Sequence, residues 1–330
     1  MIGIPASPWV RAEDSGSVGA VRETATRLAV TAGFDAFRAG RVAVAVGEAV
    51  SGLVEYAQEV VVTVRPHPWA ANAVEFVAID RGPGVPSVAH TLVDGCPAFG
   101  TPGIGLGAIA RLAAWHEIYS APGRGTILAM CFTPTGEPPP SHASGLLRPI
   151  GEEPLCGDAF ALHETGSAVS ALVCDGIGHG AAAAQAAREA VRIFKEAPGL
   201  DPADIVARVH DGLGHTRGGA VAVARVDRED VVFSGLGNVS GWIVHPAGRH
   251  GMVSLPGIAG HRGRRPQQFR YPLPRHATTV LHSDGLTGRW DPVSLPGLST
   301  RSSVVVAAAL LREAGSPRDD SCVVAVRSRS

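Results

Sequence analysis

The amino-acid sequence predicts an α+β protein of two domains, and three observations support this prediction. The chain has 330 residues, more than a single hydrophobic core usually organises. Its N-terminal part opens with long helical apolar patterns, whereas short apolar runs typical of β-strands dominate the C-terminal part. Between them, the segment 133–144 has three consecutive prolines and no apolar periodicity, which is typical of a stiff linker. We therefore predict domains at 1–132 and 147–330, joined by a linker at 133–146.

The N-terminal domain is predicted to place helices on one face of a β-sheet, as an α/β sandwich does. Apolar residues recur at helical spacing over 18–32 and 35–57, and valine-rich runs indicate strands at 60–64 and 74–79. The remaining predicted elements, after a glycine-rich loop, are a helix at 106–114 and strands at 117–120 and 126–132.

The C-terminal domain is predicted to consist of antiparallel sheets covered by helices. Its helical patterns lie at 181–195, 202–212 and 302–314, and they do not alternate with the strands as a parallel sheet would require. The predicted strands are 158–163, 168–174, 220–226, 231–234, 241–244, 278–282 and 321–326.

The composition bears on the class of partner and on the compartment. The formal net charge of −1 gives no electrostatic basis for binding nucleic acid or an anionic membrane. The apolar stretches are too short to span a bilayer, and residues 1–16 lack the pattern of a signal peptide. The five cysteines form no Cys-x-x-Cys pair, as expected of free thiols in a reducing compartment. We therefore expect a cytoplasmic protein that binds neither nucleic acid nor membrane.

Acidic residues stand at the ends of four predicted strands in the C-terminal domain. Asp175 and Asp284, each followed by glycine, end apolar runs, whereas Asp158 and the pair Asp319–Asp320 begin them. An Asp-Gly pair alone is a common turn, but carboxylates gathered without a lysine or arginine repel one another. Mg²⁺ or Mn²⁺ removes that repulsion and prefers oxygen ligands. The pattern therefore predicts a site for metal-assisted hydrolysis.

Five short motifs in this domain occur in the order typical of a known family. They are Gly157-Asp158, Asp175-Gly176-Ile177-Gly178-His179-Gly180, Gly235-Leu236-Gly237-Asn238, Ser283-Asp284-Gly285 and Arg318-Asp319-Asp320. Over 147–330 the chain resembles the SpoIIE/RsbX branch of the protein phosphatase 2C family. The resemblance implies a β-sandwich flanked by helices, two Mn²⁺ or Mg²⁺ ions, and hydrolysis of phosphoserine or phosphothreonine on small regulatory proteins.

The same resemblance assigns roles to individual residues. The implied metal ligands are Asp158, Asp175, Asp284, Asp319 and the carbonyl of Gly176, with Asp175 bridging both ions. The implied catalytic residues are Asp158, Asp175 and His179. His179 would orient a phosphate oxygen or protonate the leaving serine oxygen; alternatively, it is a helix-start residue bonded to the backbone. Because a metal-bound water attacks phosphorus directly, no cysteine or serine nucleophile is expected.

Three glycine-containing segments mark the N-terminal domain. They are Asp80-Arg81-Gly82-Pro83-Gly84, Gly103-Ile104-Gly105-Leu106-Gly107 and Gly123-Arg124-Gly125-Thr126. The second opens a predicted helix, where free N–H groups and the helix dipole suit a phosphate. Together the segments resemble the GHKL ATPases, specifically the anti-sigma-factor serine kinases of the RsbW/RsbT type, over about 20–132.

This second resemblance implies an ATP site. The implied cofactor-binding residues are Glu48, Asp80, Gly82, Gly84, Gly103, Gly105, Gly107 and Thr126. Asp80 would bind the adenine amino group with Thr126 near the same end, the first two glycines would shape the pocket, and the other three would surround the phosphates.

One departure from the kinase pattern bears on activity. Glu48 matches the general base of the kinases, but the asparagine expected four residues later is Gly52. That asparagine holds the Mg²⁺ between the phosphates in the family, so phosphoryl transfer loses a main support. We therefore expect nucleotide binding without efficient kinase activity; the alternative is an empty pocket retained for protein contacts.

The sequence thus predicts a signalling enzyme that joins these two modules. Its phosphatase would act on a phosphorylated anti-sigma-factor antagonist with a STAS-type fold, which then captures an anti-sigma factor. A second hypothesis is a bifunctional kinase/phosphatase switch. A third is a non-catalytic module that sequesters a sigma factor or its regulator. The resemblance also leaves a homodimer open, because related modules often pair through helices.

Overall fold

The structure, a computed structural model, describes residues 2–3, 8–85, 88, 107, 109, 111–151, 153–263 and 265–327. The chain forms two units, one of Ser7–Pro140 and the other of Met1–Ala6 with Ser141–Ser330. Helices and sheets occur in both, which confirms the predicted α+β class. The boundaries differ from the predicted ones at two places, because strand β1 (Ile2–Gly3) pairs within the C-terminal unit and β7 (Ala143–Arg148) begins inside the predicted linker.

The N-terminal unit begins with two helices whose starts are fixed by aspartate caps. Helix α1 (Ser15–Thr31) follows Asp14, which exchanges side-chain and backbone hydrogen bonds with Ser17. Helix α2 (Ala36–Tyr56) follows Asp35, whose carboxylate caps the first turn in the same way. These caps satisfy N–H groups that have no partner within the helix.

A five-stranded antiparallel sheet shares one core with these helices. Its strands are β2 (Trp9–Arg11), β3 (Val61–His67), β4 (Ala70–Ile79), β5 (Trp115–Ser120) and β6 (Thr126–Phe132), in the spatial order β2-β3-β4-β6-β5. Val46 and Val50 of α2 are fully buried in this core, as are Phe76 and Met130 of the sheet. Burial of such side chains contributes about 1.5–3 kcal/mol each.

Three of the nine residues of the helix predicted at 106–114 lie outside the described residues. Gly107 and Ile109 are helical and buried, and the Arg111 N–H donates to the Gly107 carbonyl. Residues 111–114 form turns, since the Ala114 N–H already pairs with the Cys131 carbonyl as the chain enters β5. The helix therefore ends earlier than predicted.

The C-terminal unit is a sandwich of two mainly antiparallel sheets. Its further strands are β8 (Asp158–Thr165), β9 (Ala168–Gly176), β10 (Gly219–Val226), β11 (Asp230–Leu236), β12 (Ser240–His245), β13 (Gly248–Met252), β14 (Ser254–Leu255), β15 (Phe269–Pro272), β16 (Thr278–His282) and β17 (Ser321–Arg327). One sheet has the order β1-β8-β9-β10-β11-β14, with β15 also pairing with β11. The other has the order β13-β12-β16-β17-β7.

Helices cover this sandwich, as predicted. Helices α3 (Ala181–Lys195) and α4 (Pro202–Gly212) share a core with the seven-stranded sheet. Helix α5 (Ser303–Ala314) packs against β7 and β17 of the other sheet. In the part of the chain that the structure describes, no helix combines the length and apolar character that crossing a membrane requires.

Candidate active site

The register of the strands brings the acidic residues of the C-terminal unit to one end of the sandwich. Asp158, the first residue of β8, lies directly opposite Asp175 near the end of β9. Asp284 follows the last residue of β16 by two positions, and Asp319 precedes the first residue of β17 by two. Since β16 and β17 are hydrogen-bonded neighbours, these two side chains start from adjacent strand ends.

Burial and repulsion by neighbouring carboxylates raise the pKa values of Asp158, Asp175 and Asp319. Asp158 is 3% exposed, and burial together with the charge of Asp175 raises its pKa well above the usual range. Burial, the charge of Asp284 and a hydrogen bond with it raise the pKa of Asp175 to about 8. Burial and the charge of Asp284 also raise the pKa of Asp319. Carboxyl groups so close together retain protons unless a cation neutralises them.

The chemistry of this donor set fits a divalent cation. Among the described residues, no lysine or arginine forms an ion pair with Asp158, Asp175, Asp284 or Asp319. Oxygen donors of this kind are what Mg²⁺ and Mn²⁺ prefer. Within the same residues, no group of three or more Asp, Glu, His or Cys side chains could hold a metal ion as it stands. Asp175 and Asp284 are hydrogen-bonded to each other, so they would reorient to share an ion.

Two polar neighbours hold these carboxylates, and neither was predicted to do so. The Ser283 hydroxyl, fully buried, donates to Asp158 Oδ2 at 2.6 Å and accepts the Cys322 N–H at 2.9 Å. The Asn238 amide donates to the Asp284 carboxylate. The position of Ser283 directly before Asp284 was the signal in the sequence for its role.

Asp320 has a different function from its neighbour Asp319. Its two carboxylate oxygens accept the backbone N–H groups of Gly157 at 2.8 Å and Ile150 at 2.9 Å. Asp320 therefore fixes the segment that leads into β8, and with it the position of Asp158.

A stack of aromatic and basic side chains supports the peptide between Ser283 and Asp284. The Trp242 indole N–H donates to His282 Nε2 at 3.1 Å, so the ring proton stands on Nδ1 and donates to the Ser283 carbonyl at 2.7 Å. Burial lowers the pKa of His282, which keeps the imidazole neutral. The Arg249 guanidinium lies 4.1 Å from the centre of the Trp242 ring and 4.3 Å from that of Trp290.

The glycine after each of two aspartates is required by close packing. A Cβ atom on Gly176 would lie 2.2 Å from the Ala183 carbonyl oxygen, where α3 begins. A Cβ atom on Gly285 would lie 1.8 Å from the carbonyl oxygen of Asp320. These Asp-Gly pairs are therefore more than turns, because each brings a second segment against the site.

His179 lies at the rim of the site and is exposed. Its Nδ1 is 3.9 Å from Glu153 Oε1. Both residues line an open pocket of about 500 Å³ together with Ile150, Gly151 and Pro154. The position gives His179 access to solvent and to a ligand in this pocket, and its role in catalysis stays a prediction.

The cysteines near the carboxylates are poor nucleophiles. Cys156, Cys174 and Cys322 are buried, and burial together with the neighbouring aspartates raises the pKa of each thiol. Since the thiolate is the reactive form, these residues act in packing.

In the N-terminal unit, Asp80 brings part of the predicted ATP site together. It is 2% exposed, and its carboxylate accepts the N–H groups of Gly82 at 2.7 Å and Thr126 at 2.9 Å. A Cβ atom on Gly84 would lie 2.4 Å from the Ala121 carbonyl oxygen. The absence of a side chain at Gly84 thus lets the segment 80–84 pack against the chain just after β5.

The rest of the predicted ATP site is only partly described. Glu48 is exposed on α2, and Gly52 lies one turn later, half-buried. Gly103 and Gly105 lie outside the described residues, whereas Gly107 is buried and helical. A cavity of about 260 Å³ in this unit is lined by other residues, including Arg38, Arg41 and Arg111.

Two glycines with left-handed backbone provide a matched test of the packing at Asp80. Gly123 and Gly125 have φ of 72° and 74°, but only Gly125 is confined: a Cβ atom there would lie 2.1 Å from the Asp80 carbonyl oxygen. Alanine at either position costs about 1–2 kcal/mol of backbone strain. We expect Gly125→Ala to cost a further 1–3 kcal/mol or so, measured by thermal unfolding. Equal melting temperatures for Gly125→Ala and Gly123→Ala would contradict the close contact.

Comparison with known proteins agrees with this description. Residues 10–132 match the family of histidine kinase-like ATPase domains, and residues 165–329 match the family of stage II sporulation protein E, SpoIIE. No match was found among curated protein sequences.

Three solved structures illustrate the structural likeness. A chain from a structure described as the bacterial stressosome, a modular system adapted to control secondary messenger signalling, is 27% identical. The match covers 56% of this chain and 98% of that one with a TM-score of 0.50. RsbX in complex with magnesium is 17% identical, covering 58% of this chain and 98% of that one with a TM-score of 0.48. The SiaA-PP2C domain of Pseudomonas aeruginosa is 16% identical, covering 57% and 86% with a TM-score of 0.45.

The family matches confirm both predicted resemblances. The SpoIIE match spans half of the chain, from the last residue of β8 to β17, and the ATPase match spans the helices and sheet of the N-terminal unit. The chain therefore belongs to the SpoIIE family and carries a histidine kinase-like ATPase domain on the N-terminal side of its SpoIIE domain.

Proposed function

We propose that this phosphatase hydrolyses phosphoserine or phosphothreonine on a STAS-type anti-sigma-factor antagonist, with two Mn²⁺ or Mg²⁺ ions bound at the acidic site. The convergence of carboxylates from separate strand ends, to which no described lysine or arginine is paired, carries the proposal. The proposed ligands are Asp158, Asp175, Asp284, Asp319 and the Gly176 carbonyl.

The residues of this site would have separate roles in the reaction. Divalent ions held by these residues would supply a hydroxide at neutral pH and neutralise phosphoryl charge. Asp175 interacts with both Asp158 and Asp284, which suits the bridging role proposed for it. Ser283 holds Asp158 by its hydroxyl. His179 is exposed at the rim, where it would orient a phosphate oxygen or protonate the leaving serine oxygen.

The proposed partner follows from two supports. The chain from the stressosome structure is 27% identical and covers 56% of this protein. The chain also combines a histidine kinase-like ATPase domain with a SpoIIE domain. With the resemblance of the former to anti-sigma-factor kinases, this combination suits partner switching, in which phosphorylation of one small protein decides its partner.

Phosphate release tests this proposal. Purified full-length protein with Mn²⁺ or Mg²⁺ should release phosphate from a phosphorylated STAS-domain protein faster than from an unrelated phosphoserine protein. Absence of release from any phosphoserine substrate would reject the activity, and equal rates on both proteins would reject the proposed partner class.

We further propose that the N-terminal unit binds ATP as a sensor. Asp80, held by two backbone N–H groups, would receive the adenine amino group, and Gly52 in place of asparagine removes a support for phosphoryl transfer. ATP binding, measured by calorimetry, should weaken about tenfold or more in Asp80→Asn.

Two other outcomes would favour the alternative functions. Transfer of labelled phosphate from ATP to a partner by an Asp284→Ala variant would favour the bifunctional switch. Capture of a partner without nucleotide binding would favour the sequestering module.

A further inference from the structure

Arg217 lies beside the loop that carries Asp175 and His179, although no sequence motif marked it. Strand β10 pairs with β9 so that Gly219 is opposite Gly176. The ladder continues beyond the strands, because the Ile177 N–H donates to the Gly218 carbonyl at 3.1 Å. Arg217 therefore precedes a segment that is hydrogen-bonded directly to the Asp175–Gly180 loop.

The backbone around Arg217 is closely confined, which fixes where its side chain begins. Gly218 has φ of 77°, and a Cβ atom there would lie 2.4 Å from the Ala259 carbonyl oxygen. A Cβ atom on Gly219 would lie 2.5 Å from the Asp175 carbonyl oxygen. On the other side, the His261 ring nitrogen Nε2 is 3.1 Å from the Arg217 carbonyl oxygen. The Arg-Gly-Gly sequence is thus required to bring this turn against the site.

The guanidinium itself extends over the loop. Its Nη1 lies 3.5 Å from the point that a Cβ atom on Gly178 would occupy. The residue is exposed. Among the described residues, Arg217 forms no ion pair. This holds even though Asp175 begins the same loop and Asp158 lies opposite Asp175 in the sheet.

The permanent positive charge of Arg217 favours an anionic ligand at this place. Arginine pairs with carboxylates or phosphates through two parallel N–H···O bonds. Asp175, which begins the adjoining loop, is a proposed metal ligand, and Arg217 forms no ion pair with it. We propose that Arg217 binds the phosphate group of the substrate, a phosphomonoester dianion. This inference rests on the proposed function, since it places the substrate at the same acidic site.

Anion binding and turnover of Arg217 variants test the proposal. The matched control is Arg228, which is also exposed but lies beyond the opposite end of β10. In full-length protein with Mn²⁺, Arg217→Gln should weaken binding of inorganic phosphate about 10- to 100-fold and raise KM for a phosphoserine peptide by a similar factor. Arg217→Lys should recover part of the loss, because it restores the charge without the fork. Arg228→Gln should behave as the wild type.

Metal affinity separates this role from a merely structural one. Calorimetry with Mn²⁺ alone should give the same affinity for Arg217→Gln and the wild type. Wild-type phosphate affinity in Arg217→Gln, or a parallel loss of Mn²⁺ affinity, would overturn the proposal. A wild type that binds phosphate through Arg217 but hydrolyses no phosphoserine substrate would refute the proposed function while upholding the anion site.

Discussion

Phosphate release should fall by about 10³-fold or more when Asp175 is replaced by asparagine, because single residues at the centre of a catalytic group carry effects of this size. Asp175 lies opposite Asp158 in the pairing of β8 with β9 and is hydrogen-bonded to Asp284. It therefore interacts with carboxylates from two other strand ends. The measurement is release from a phosphoserine peptide at saturating Mn²⁺. Asp211→Asn, an exposed change on α4, is the matched control and should retain full activity.

We also expect Asp175→Asn to change thermal stability in the absence of metal. Without metal the pKa of Asp175 is about 8, so above that pH Asp175→Asn removes one of several neighbouring like charges. In EDTA above about pH 8 the variant should therefore melt at a higher temperature than the wild type. Mn²⁺ at one hundred times its Kd should stabilise the wild type by about 2.7 kcal/mol and the variant far less. An equal thermal shift in both proteins would show that Asp175 does not bind the ion.

Ser283→Ala should weaken Mn²⁺ binding and lower activity about 10- to 100-fold, as changes to residues that orient metal ligands do. The hydroxyl links Asp158 Oδ2 to the Cys322 N–H, and alanine leaves both without that partner. Mn²⁺ affinity by calorimetry is the direct measurement, since it does not depend on turnover.

Ser234→Ala is the control for lost stability. Ser234 is also fully buried, and its hydroxyl donates to the Gln267 carbonyl at 2.8 Å. Both substitutions remove one buried hydroxyl, so similar losses of melting temperature are expected. Ser283→Ala alone should change the affinity for Mn²⁺; if Ser234→Ala does so equally, Ser283 has no special role in holding Asp158.

Local patterns in the sequence predicted much of this fold and the core of the candidate site. Apolar runs bounded by Asp-Gly pairs indicated β9 and β16, and helical spacing indicated α2 and α3, because each signal is contained within a few turns or a single strand. The convergence of Asp158 and Asp175 could be expected once both were placed at strand ends.

Contacts between distant segments could not be predicted in this way. Ser283 and Asp158 are 125 positions apart, and no local period reports such a pair. Arg217 was missed for the same reason, since only the register of β9 with β10 places it beside the Asp175–Gly180 loop. Asp319 and Asp320 show the limit most directly: adjacent carboxylates differ in role because one accepts two backbone N–H groups.

The position of strand β1 in the chain decides where the protein can be truncated. It forms the outer strand next to β8, yet it lies before the entire ATPase domain in the chain, whereas β7 at the edge of the second sheet lies after it. The ATPase domain is thus an insertion between two edge strands of the phosphatase. An expression fragment that starts at residue 141 would uncover the hydrogen-bonding edge of β8, a surface on which other chains can add a strand. A truncation that keeps residues 1–6 and bridges them to 141 is the better route to a soluble catalytic fragment.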